Sequence, residues 1–553
     1  MSSSLARLRN RKRAAARRLK FSGSSDAKRQ FEELNRDFNL QNSREYKAYV
    51  KEQGKKLRRD PKSFWKFVDE KRKGSTFPAE MSYGHRNVRG GQDISNLFAE
   101  HFESTFSTST TFSTEALDFS APLLDTDGNN LCLPFCEEEV RHVMRNLDAS
   151  KGPGPDSLPP SFWKRTASAL AAPLTLIFNG SLSHKTFPSE WKRAFVVAIH
   201  KSGLRSKVEN YRQVSLLSCP AKIFDKLMCQ RVTSLFSPII SERQHGFYKE
   251  RYTTTNLVDF VSSVVTSMEN GRSVDALYLD FSRAFDSLNH GLLVEKLRKY
   301  GITDESLHWL SSYLSNRTLQ RLQLCLDQVG RWGILKDLKL NHSKSQVITF
   351  SRRRAQIAHH VYCLDTVALP RVTEVKDLGV FLDEEMDVRR HCDRTISKAR
   401  ITLWLVTSFC KQFSDQRVSR ILYSSLVRSI LEYAAPVWMP HHVTRLARLE
   451  SVQKQFLIFA LGRQRLPGSY ALPPYRERLA LMQLDRISDR YKIACATFIF
   501  DLLMGKIDCR QLRARIVVNT NRRGRHSRYI YDTFHRTEYG RQEPINKCIQ
   551  VTM

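Results

Sequence analysis

The sequence has no apolar run long enough to cross a membrane. Its most apolar segment, Ala169–Phe178, is far shorter than the roughly 20 residues that a spanning helix needs. The N-terminus is basic, but no long apolar core follows it, so we expect no secretory signal peptide. These absences predict a chain that works inside the cell, in the nucleus or the cytoplasm, and that has no membrane partner.

Closely spaced cysteine pairs are also scarce. The 11 cysteines are scattered, and the closest two, Cys132 and Cys136, have neither a second cysteine pair nor a histidine pair to complete a zinc site. Without a secretory signal, reduced thiols are the expected state of these side chains. The cysteines therefore predict neither a metal centre nor a disulfide framework.

Acidic residues are few relative to basic ones. Lys and Arg number 89 and Asp and Glu 56, which gives a formal net charge of +33. A polyanion is the expected partner, and nucleic acid comes first, because each phosphate neutralised by Lys or Arg releases a condensed counterion. The charge is concentrated in residues 1–74, with 23 basic and 9 acidic residues, and in 510–528, with seven Arg and no acid. Each of these blocks is either a nucleic-acid contact or a solvated tail.

Apolar periodicity predicts helices mixed with short strands, which favours an α+β protein. The predicted helices are 137–146, 161–182, 221–236, 292–300 and 306–314. The predicted strands are 194–200, 274–281 and 346–351, and helical patterns dominate 388–462. Two terminal regions flank this folded part: a basic region at 1–74 that is helical or disordered, and a basic region at 466–553. A linker with an amphipathic helix is predicted at 75–135.

The segment Tyr278–Asp286 (YLDFSRAFD) places a carboxylate where a predicted buried strand ends. Adding nucleotides to a primer requires two divalent cations, which activate the 3′-hydroxyl and stabilise the leaving pyrophosphate. Mg²⁺ prefers carboxylate oxygens, water and substrate phosphate as ligands. Asp280 is therefore a candidate metal ligand. Taken alone, it would equally suit a helix-capping Asp.

Several further motifs occur in a fixed order around Asp280. They are KGPGPD at Lys151–Asp156, KSG at Lys201–Gly203, NYRQVSLL at Asn210–Leu217, QHGF at Gln244–Phe247, YLSNRT at Tyr313–Thr318, DLGV at Asp377–Val380 and LYSSLVRSILEYAAPVW at Leu422–Trp438. In this order they resemble the reverse transcriptase of non-LTR retrotransposons, the LINE-type elements, and most closely the jockey group. The resemblance covers roughly residues 55–465. It departs from the family pattern at Gln213, where the family usually has Pro.

The resemblance implies a right-hand polymerase fold. Fingers and palm would occupy 136–350, and a connection with a helical thumb would occupy 351–465. It implies an RNA-directed DNA polymerase that binds RNA, DNA and deoxynucleoside triphosphates and uses Mg²⁺. Asp280 would be the catalytic metal ligand, and Phe285 would exclude a 2′-hydroxyl on the incoming sugar. Lys344 would protonate the leaving pyrophosphate or simply contact a phosphate.

Four further residues are expected at the nucleotide and the template. Lys249 and Arg251 lie in a polar loop suited to the triphosphate and to template phosphates, with a surface salt bridge as the alternative. Tyr211 and Arg212 are expected along the template channel. Core packing is the alternative for Tyr211.

Two features that the resemblance leads us to expect are missing. No Asp-Asp dipeptide and no Pro-Gln-Gly occur in the 553 residues. We expect an internal deletion of motifs B and C near Leu322–Leu324, a truncated palm sheet with an unpaired strand edge, and no polymerisation. Asp327 is not expected to substitute, because it lies on a predicted helix without an acidic neighbour. The alternatives are a non-catalytic scaffold that binds RNA or DNA, or a functionless transposon relic.

Overall fold

The computed structural model describes most of the chain in separate stretches. They are residues 3–61, 63–65, 68, 78, 80–104, 130–280, 289–315, 344–352, 360–364, 367–413, 415–462, 472–518, 530–531, 535, 537–541 and 543–552. Residues 105–129 of the predicted linker, Phe285, Asp286 and the predicted deletion point near Leu322–Leu324 lie outside them. No helix among these residues is long and apolar enough to cross a membrane.

The N-terminal region is a helical hairpin of α1 (Ser3–Ser22) and α2 (Ser25–Arg59). The side chain of Ser24 caps α2 by accepting a hydrogen bond from the Ala27 amide. The far end of α2 packs on later helices, because Leu57 is buried in the largest apolar core and Arg58 pairs with Asp415 at 3.0 Å. The described part of this basic region is thus helical and is anchored at one end.

The first half of the chain builds a group of helices and two separate two-stranded sheets. Its elements are β1 (Glu80–Tyr83), β2 (Arg86–Arg89), α3 (Gly91–Glu103), α4 (Glu137–Arg145), α5 (Pro160–Arg165), α6 (Ala167–Ser183), β3 (Ala194–His200), β4 (Tyr211–Leu217) and α7 (Cys219–Phe236). Its core is aromatic, with Phe187 in contact with the rings of Phe224, Trp309 and Tyr313. Gly154 of the KGPGPD motif lies so close to the Leu217 carbonyl that a side chain would clash there. That motif therefore positions the end of β4.

The strand that carries the candidate catalytic segment follows a long helix. The elements are α8 (Thr253–Glu269), β5 (Val274–Tyr278), α9 (His290–Lys299), α10 (Asp304–Leu314) and β6 (Gln346–Phe350). β5 and β6 are antiparallel, with Val274 opposite Phe350 and Tyr278 opposite Gln346. The other edge of β6 bridges to the chain at Arg371. Among the described residues, β5 has no strand on its second edge.

The second half of the chain is mostly helical. Its elements are β7 (Cys363–Leu364), β8 (Val367–Ala368), β9 (Glu374–Asp377), β10 (Val380–Asp383), α11 (Arg389–Cys410), α12 (Gln416–Leu422), α13 (Ser429–Glu432), α14 (Ala435–Trp438), α15 (Val443–Gly462), α16 (Tyr475–Met482), α17 (Ile487–Leu503), α18 (Arg510–Ala514), β11 (Val517–Val518), β12 (Ile530–Tyr531), α19 (Glu538–Arg541) and α20 (Pro544–Thr552). A π-helical turn, Tyr423–Arg428, joins α12 to α13. This half, together with α2, α8, β5 and β6, forms the largest apolar core.

The DLGV motif forms the turn between β9 and β10. Leu378 and Gly379 both have positive φ, which suits a two-residue hairpin turn. The Tyr433 hydroxyl donates to the Leu378 carbonyl at 2.7 Å and lies 3.3 Å from the Thr253 hydroxyl. The turn is thereby joined to the N-terminus of α8 and to the helical half.

Candidate nucleic-acid interface

Asp280 and Lys344 face each other just beyond the ends of two paired strands. Since Tyr278 lies opposite Gln346 in the β5–β6 ladder, the residues two positions further out also come opposite each other. The Lys344 Nζ lies 3.2 Å from the Asp280 Oδ2, and both side chains are about half exposed. The strand ends at Tyr278, two residues before the position predicted from the sequence. The structure thus brings two separately predicted site residues into one ion pair.

Lys201 of the β3–β4 hairpin approaches this pair, and Arg212 lies near Lys201. Lys201 follows β3, and its amide donates to the Asn210 carbonyl at 2.8 Å, while Arg212 lies on β4 opposite Ile199. Burial and the positive charges of Arg212 and Lys344 lower the pKa of the Lys201 ammonium. Lys201, Arg212, Lys344 and Asp280 are hereafter called the Asp280 cluster. It contains three cations and one carboxylate, and so it favours an anionic ligand.

The described residues do not match the ligands that a pair of Mg²⁺ ions requires. Two-metal sites use several carboxylates a few ångströms apart, whereas Asp280 is the only acid of the cluster and is already paired with Lys344. No group of three or more His, Cys, Asp or Glu suited to a metal occurs in the part of the chain that the structure describes. The role of Asp280 as a metal ligand stays a prediction.

A partly buried pair of side chains, Tyr278 and Asp377, supports the strand behind Asp280. The Tyr278 hydroxyl donates to the Asp377 carboxylate at 3.4 Å. Burial raises the pKa of Asp377, and burial together with Asp377 raises the pKa of Tyr278. The DLGV motif therefore contacts the YLD segment through its first residue. Residues 99 positions apart form this contact, and local sequence patterns carry no signal for a pairing of that kind.

The Arg251 guanidinium is engaged by the protein itself. It donates to the Asp508 carboxylate at 2.7 and 3.0 Å and to the carbonyls of Ser241 and Gln244 at 2.8 Å. Only 5% of its side chain is exposed. Lys249 is 86% exposed and lies 3.2 Å from Glu250. Of the two, Lys249 is the one that a phosphate can reach without disturbing the protein, and phosphate binding by either residue stays a prediction.

Tyr211 is packed in a small apolar cluster with Met81, Leu97 and Phe98. Its hydroxyl donates to the Arg205 carbonyl at 2.8 Å, and its ring centroid lies 5.0 Å from that of Phe98. This geometry favours the alternative of core packing over a position in the template channel. Phe285, the predicted sugar gate, lies outside the described residues.

The Asp280 cluster borders an exposed apolar strand face. Phe195, Val197 and Ile199 project from one side of β3, where Phe195 is 55% and Ile199 51% exposed. Arg212 shares this side because it lies opposite Ile199 in the ladder. The opposite side of the sheet carries Tyr211 and Leu217, which are buried. Base rings suit such a surface, since stacking on apolar and aromatic groups tolerates any sequence.

Comparison with known proteins agrees with the motif order. Residues 199–321 match the reverse transcriptase (RNA-dependent DNA polymerase) family. A probable RNA-directed DNA polymerase from transposon BS of Drosophila melanogaster is 27% identical, over 45% of this chain and 28% of the relative. The RNA-directed DNA polymerase from mobile element jockey is 32% identical in Drosophila melanogaster, over 29% of this chain and 18% of the relative. Its counterpart in Drosophila funebris is 22% identical, over 67% of this chain and 50% of the relative.

These matches and the motif order identify a reverse transcriptase domain in a mixed helix-and-sheet protein. More narrowly, the chain is similar to the RNA-directed DNA polymerases of transposons, among them those of the jockey elements. It spans half or less of the length of these relatives. The family predicted from the sequence is therefore confirmed.

Two members of the site are not predicted as site residues. In the sequence Lys201 is only the first residue of the KSG motif, although its place directly after a predicted strand and before Gly203 is a signal that it closes a strand end. Asp377 is likewise only the first residue of DLGV. Both are brought to the Asp280 segment by strand pairing across long sequence separations, which one sequence does not reveal.

Proposed function

We propose that this chain binds RNA and DNA through its reverse transcriptase domain and does not polymerise nucleotides. The observation that supports binding is the Asp280 cluster, in which Lys344 pairs with Asp280 and Lys201 lies in the field of Arg212, Lys344 and Asp280. A phosphate entering the cluster relieves the mutual repulsion of the cations, and each neutralised phosphate adds counterion release. The net charge of +33 provides the long-range attraction.

The absence of polymerisation rests on the carboxylates. The sequence contains no Asp-Asp dipeptide, and Lys344 pairs with Asp280 where a metal would otherwise bind. A single carboxylate held by an ammonium does not position two divalent cations. Deoxynucleoside triphosphates belong to the ancestral reaction, and the present chain would bind them only as polyphosphates.

An internal deletion of motifs B and C explains the same features. Such a deletion removes strands from the palm and leaves an edge of β5 unpaired. In the described residues β5 pairs only with β6, and Leu279 just beyond it is 52% exposed. The nucleotide sequence across codons 317–330 tests this directly. Coding capacity there for an intact Asp-Asp hairpin would overturn the deletion.

Primer extension on an RNA template with Mg²⁺ tests the catalytic half of the proposal. We expect no incorporation by the full chain. Incorporation that Asp280→Ala abolishes would overturn it, because this result requires a working metal site.

Salt-titrated binding to a DNA-primed RNA template tests the binding half. We expect log K to fall linearly with log salt, and the triple variant K201Q/R212Q/K344Q to reduce the slope by about 3, roughly one for each phosphate that is no longer neutralised. Lys506→Gln is the matched control, since Lys506 is exposed and pairs with Asp501 at 3.4 Å. A slope unchanged in the triple variant would show that nucleic acid binds elsewhere. If the chain bound no nucleic acid at all, the alternative of a functionless transposon relic would describe it better.

A further inference from the structure

A cavity of about 330 Å³ lies between the β9–β10 hairpin and the C-terminal helix α20. Its walls come from α8, β10, the segments 386–388 and 437–445, and Lys547 of α20. None of its lining residues belongs to the Asp280 cluster. The volume lies at the lower end of the range of small-molecule sites.

The charged groups of the cavity are mostly positive. Arg352, Arg445 and Lys547 line it, and Asp387 is the single acid of the lining. Arg445 compensates Asp387, because its guanidinium nitrogens lie 2.9 and 3.4 Å from the two carboxylate oxygens. Arg352 donates through Nε to the neutral Glu385 carbonyl at 3.2 Å. Lysine and arginine residues therefore outnumber carboxylates in the lining of the cavity by three to one.

Lys547 is 92% withdrawn from solvent, with 8% of its surface exposed. Burial lowers the pKa of its ammonium to about 8. The negative charge of Glu543 acts on Lys547, but the backbone N–H of Asn546 donates to one Glu543 oxygen at 2.9 Å, and Arg515 lies 3.9 Å from the other. Among the hydrogen bonds and ion pairs of the described residues, none involves the Lys547 ammonium. Burying a charged ammonium without a hydrogen-bonded partner costs free energy, and an anion in the cavity would stabilise the charged form of Lys547.

The remaining wall of the cavity is apolar. The apolar lining includes five valines and Met386, together with two aromatic residues, Phe381 and Trp438. Trp438 is fixed, because its indole N–H donates to the Tyr433 carbonyl at 2.7 Å. A bare phosphate ion would leave this wall unused. The lining instead suits a flat apolar ring that carries a phosphate.

We propose that this cavity binds a nucleoside monophosphate group, with the phosphate against Lys547 and Arg352 and the base against the apolar wall. The group has two possible sources, a free nucleotide or the 5′-phosphorylated end of a strand. The inference does not rest on polymerisation or on the Asp280 cluster.

Isothermal titration of the full chain tests the inference with four probes: deoxyadenosine 5′-monophosphate, deoxyadenosine, inorganic phosphate, and a short oligonucleotide with or without a 5′-phosphate. The titrations are repeated in the K201Q/R212Q/K344Q background, so that phosphate bound at the Asp280 cluster does not contribute. We expect the monophosphate to bind at least tenfold more tightly than either deoxyadenosine or inorganic phosphate, and to bind equally in both backgrounds. Tighter binding of the 5′-phosphorylated oligonucleotide than of the monophosphate would assign the site to strand ends, and the reverse order to free nucleotides.

Two variants locate the binding in the cavity. Arg352→Gln changes an exposed side chain and is expected to weaken monophosphate binding at least tenfold without a change in melting temperature. Lys547→Met removes the buried charge and is expected to abolish binding. Arg390→Gln is the control, because this exposed arginine pairs with Glu374 at 3.7 Å and does not line the cavity. Monophosphate binding that is absent, that survives Arg352→Gln, or that inorganic phosphate equals in affinity would overturn the proposal.

Discussion

The helical half of the chain and the strands around Asp280 differ in how completely they bury their apolar side chains. In the helical half, Leu431 and Leu457 are fully buried and Trp438 is 1% exposed. Phe195 on β3 and Leu279 just beyond β5 are both more than half exposed. The helices enclose the largest apolar core, although Ile401 and Trp404 of α11 are exposed. On β3 the exposed apolar side chains form one continuous strand face. The buried helical core is thus expected to carry the stability, and the strand face is where we propose that nucleic acid binds.

The largest expected difference is in the free energy of unfolding, when one aromatic residue in each region is replaced by alanine. Trp438→Ala should lower the free energy of unfolding by about 3–5 kcal/mol, because it empties a filled core position. Phe195→Ala should lower it by less than about 1 kcal/mol, because half of the ring is already in water. Urea unfolding followed by circular dichroism measures both. Similar losses of unfolding free energy in the two variants would show that the β3 face is covered in the folded protein, which would contradict the contrast between the two regions.

The pH dependence of stability should come from the helical half. His391 is buried beside Trp438, and its Nδ1 accepts a hydrogen bond from the Phe381 amide at 3.2 Å. Burial lowers the pKa of His391 to about 4, against about 6.5 in an unfolded chain. The unfolded state therefore takes up a proton first as the pH falls. Stability is complete above about pH 6.5 and should fall by about 3 kcal/mol down to about pH 4.

Thermal unfolding between pH 4 and pH 8 measures this effect. His391→Gln is expected to be less stable at pH 8 and to have a flatter profile between pH 4 and pH 6.5. An unchanged profile in that variant would show that other groups carry the pH dependence.

Local patterns in the sequence predicted most element positions. The strand 194–200 was predicted at its observed bounds, and the helix predicted at 221–236 differs only in starting at Cys219. The predicted helix 161–182 is two helices, because Thr166 leaves the helical conformation between them. The hairpin of β1 and β2 was missed, since its residues lack a clear apolar alternation.

The candidate site was predictable residue by residue but not as an arrangement. Asp280 and Lys344 were named for different roles, and only the β5–β6 register shows that they pair. Arg251 was assigned to phosphate because its loop is polar, while its partner Asp508 lies 257 residues away. A single sequence shows residue types and local apolar periodicity. Contacts between distant residues depend on tertiary packing, which local patterns do not predict.

Arg251 links the two regions, because it lies in the loop before α8 and pairs with Asp508 of the helical half. Arg251→Met leaves Asp508 without its partner and removes two carbonyl contacts, and it should cost about 1–3 kcal/mol. Asp508 is 36% exposed, so water limits the loss. Lys249→Met is the matched control and should leave stability unchanged. Thermal unfolding and nucleic-acid binding are measured on both variants, and weaker binding by Arg251→Met at unchanged stability would assign it to phosphate instead of to the fold.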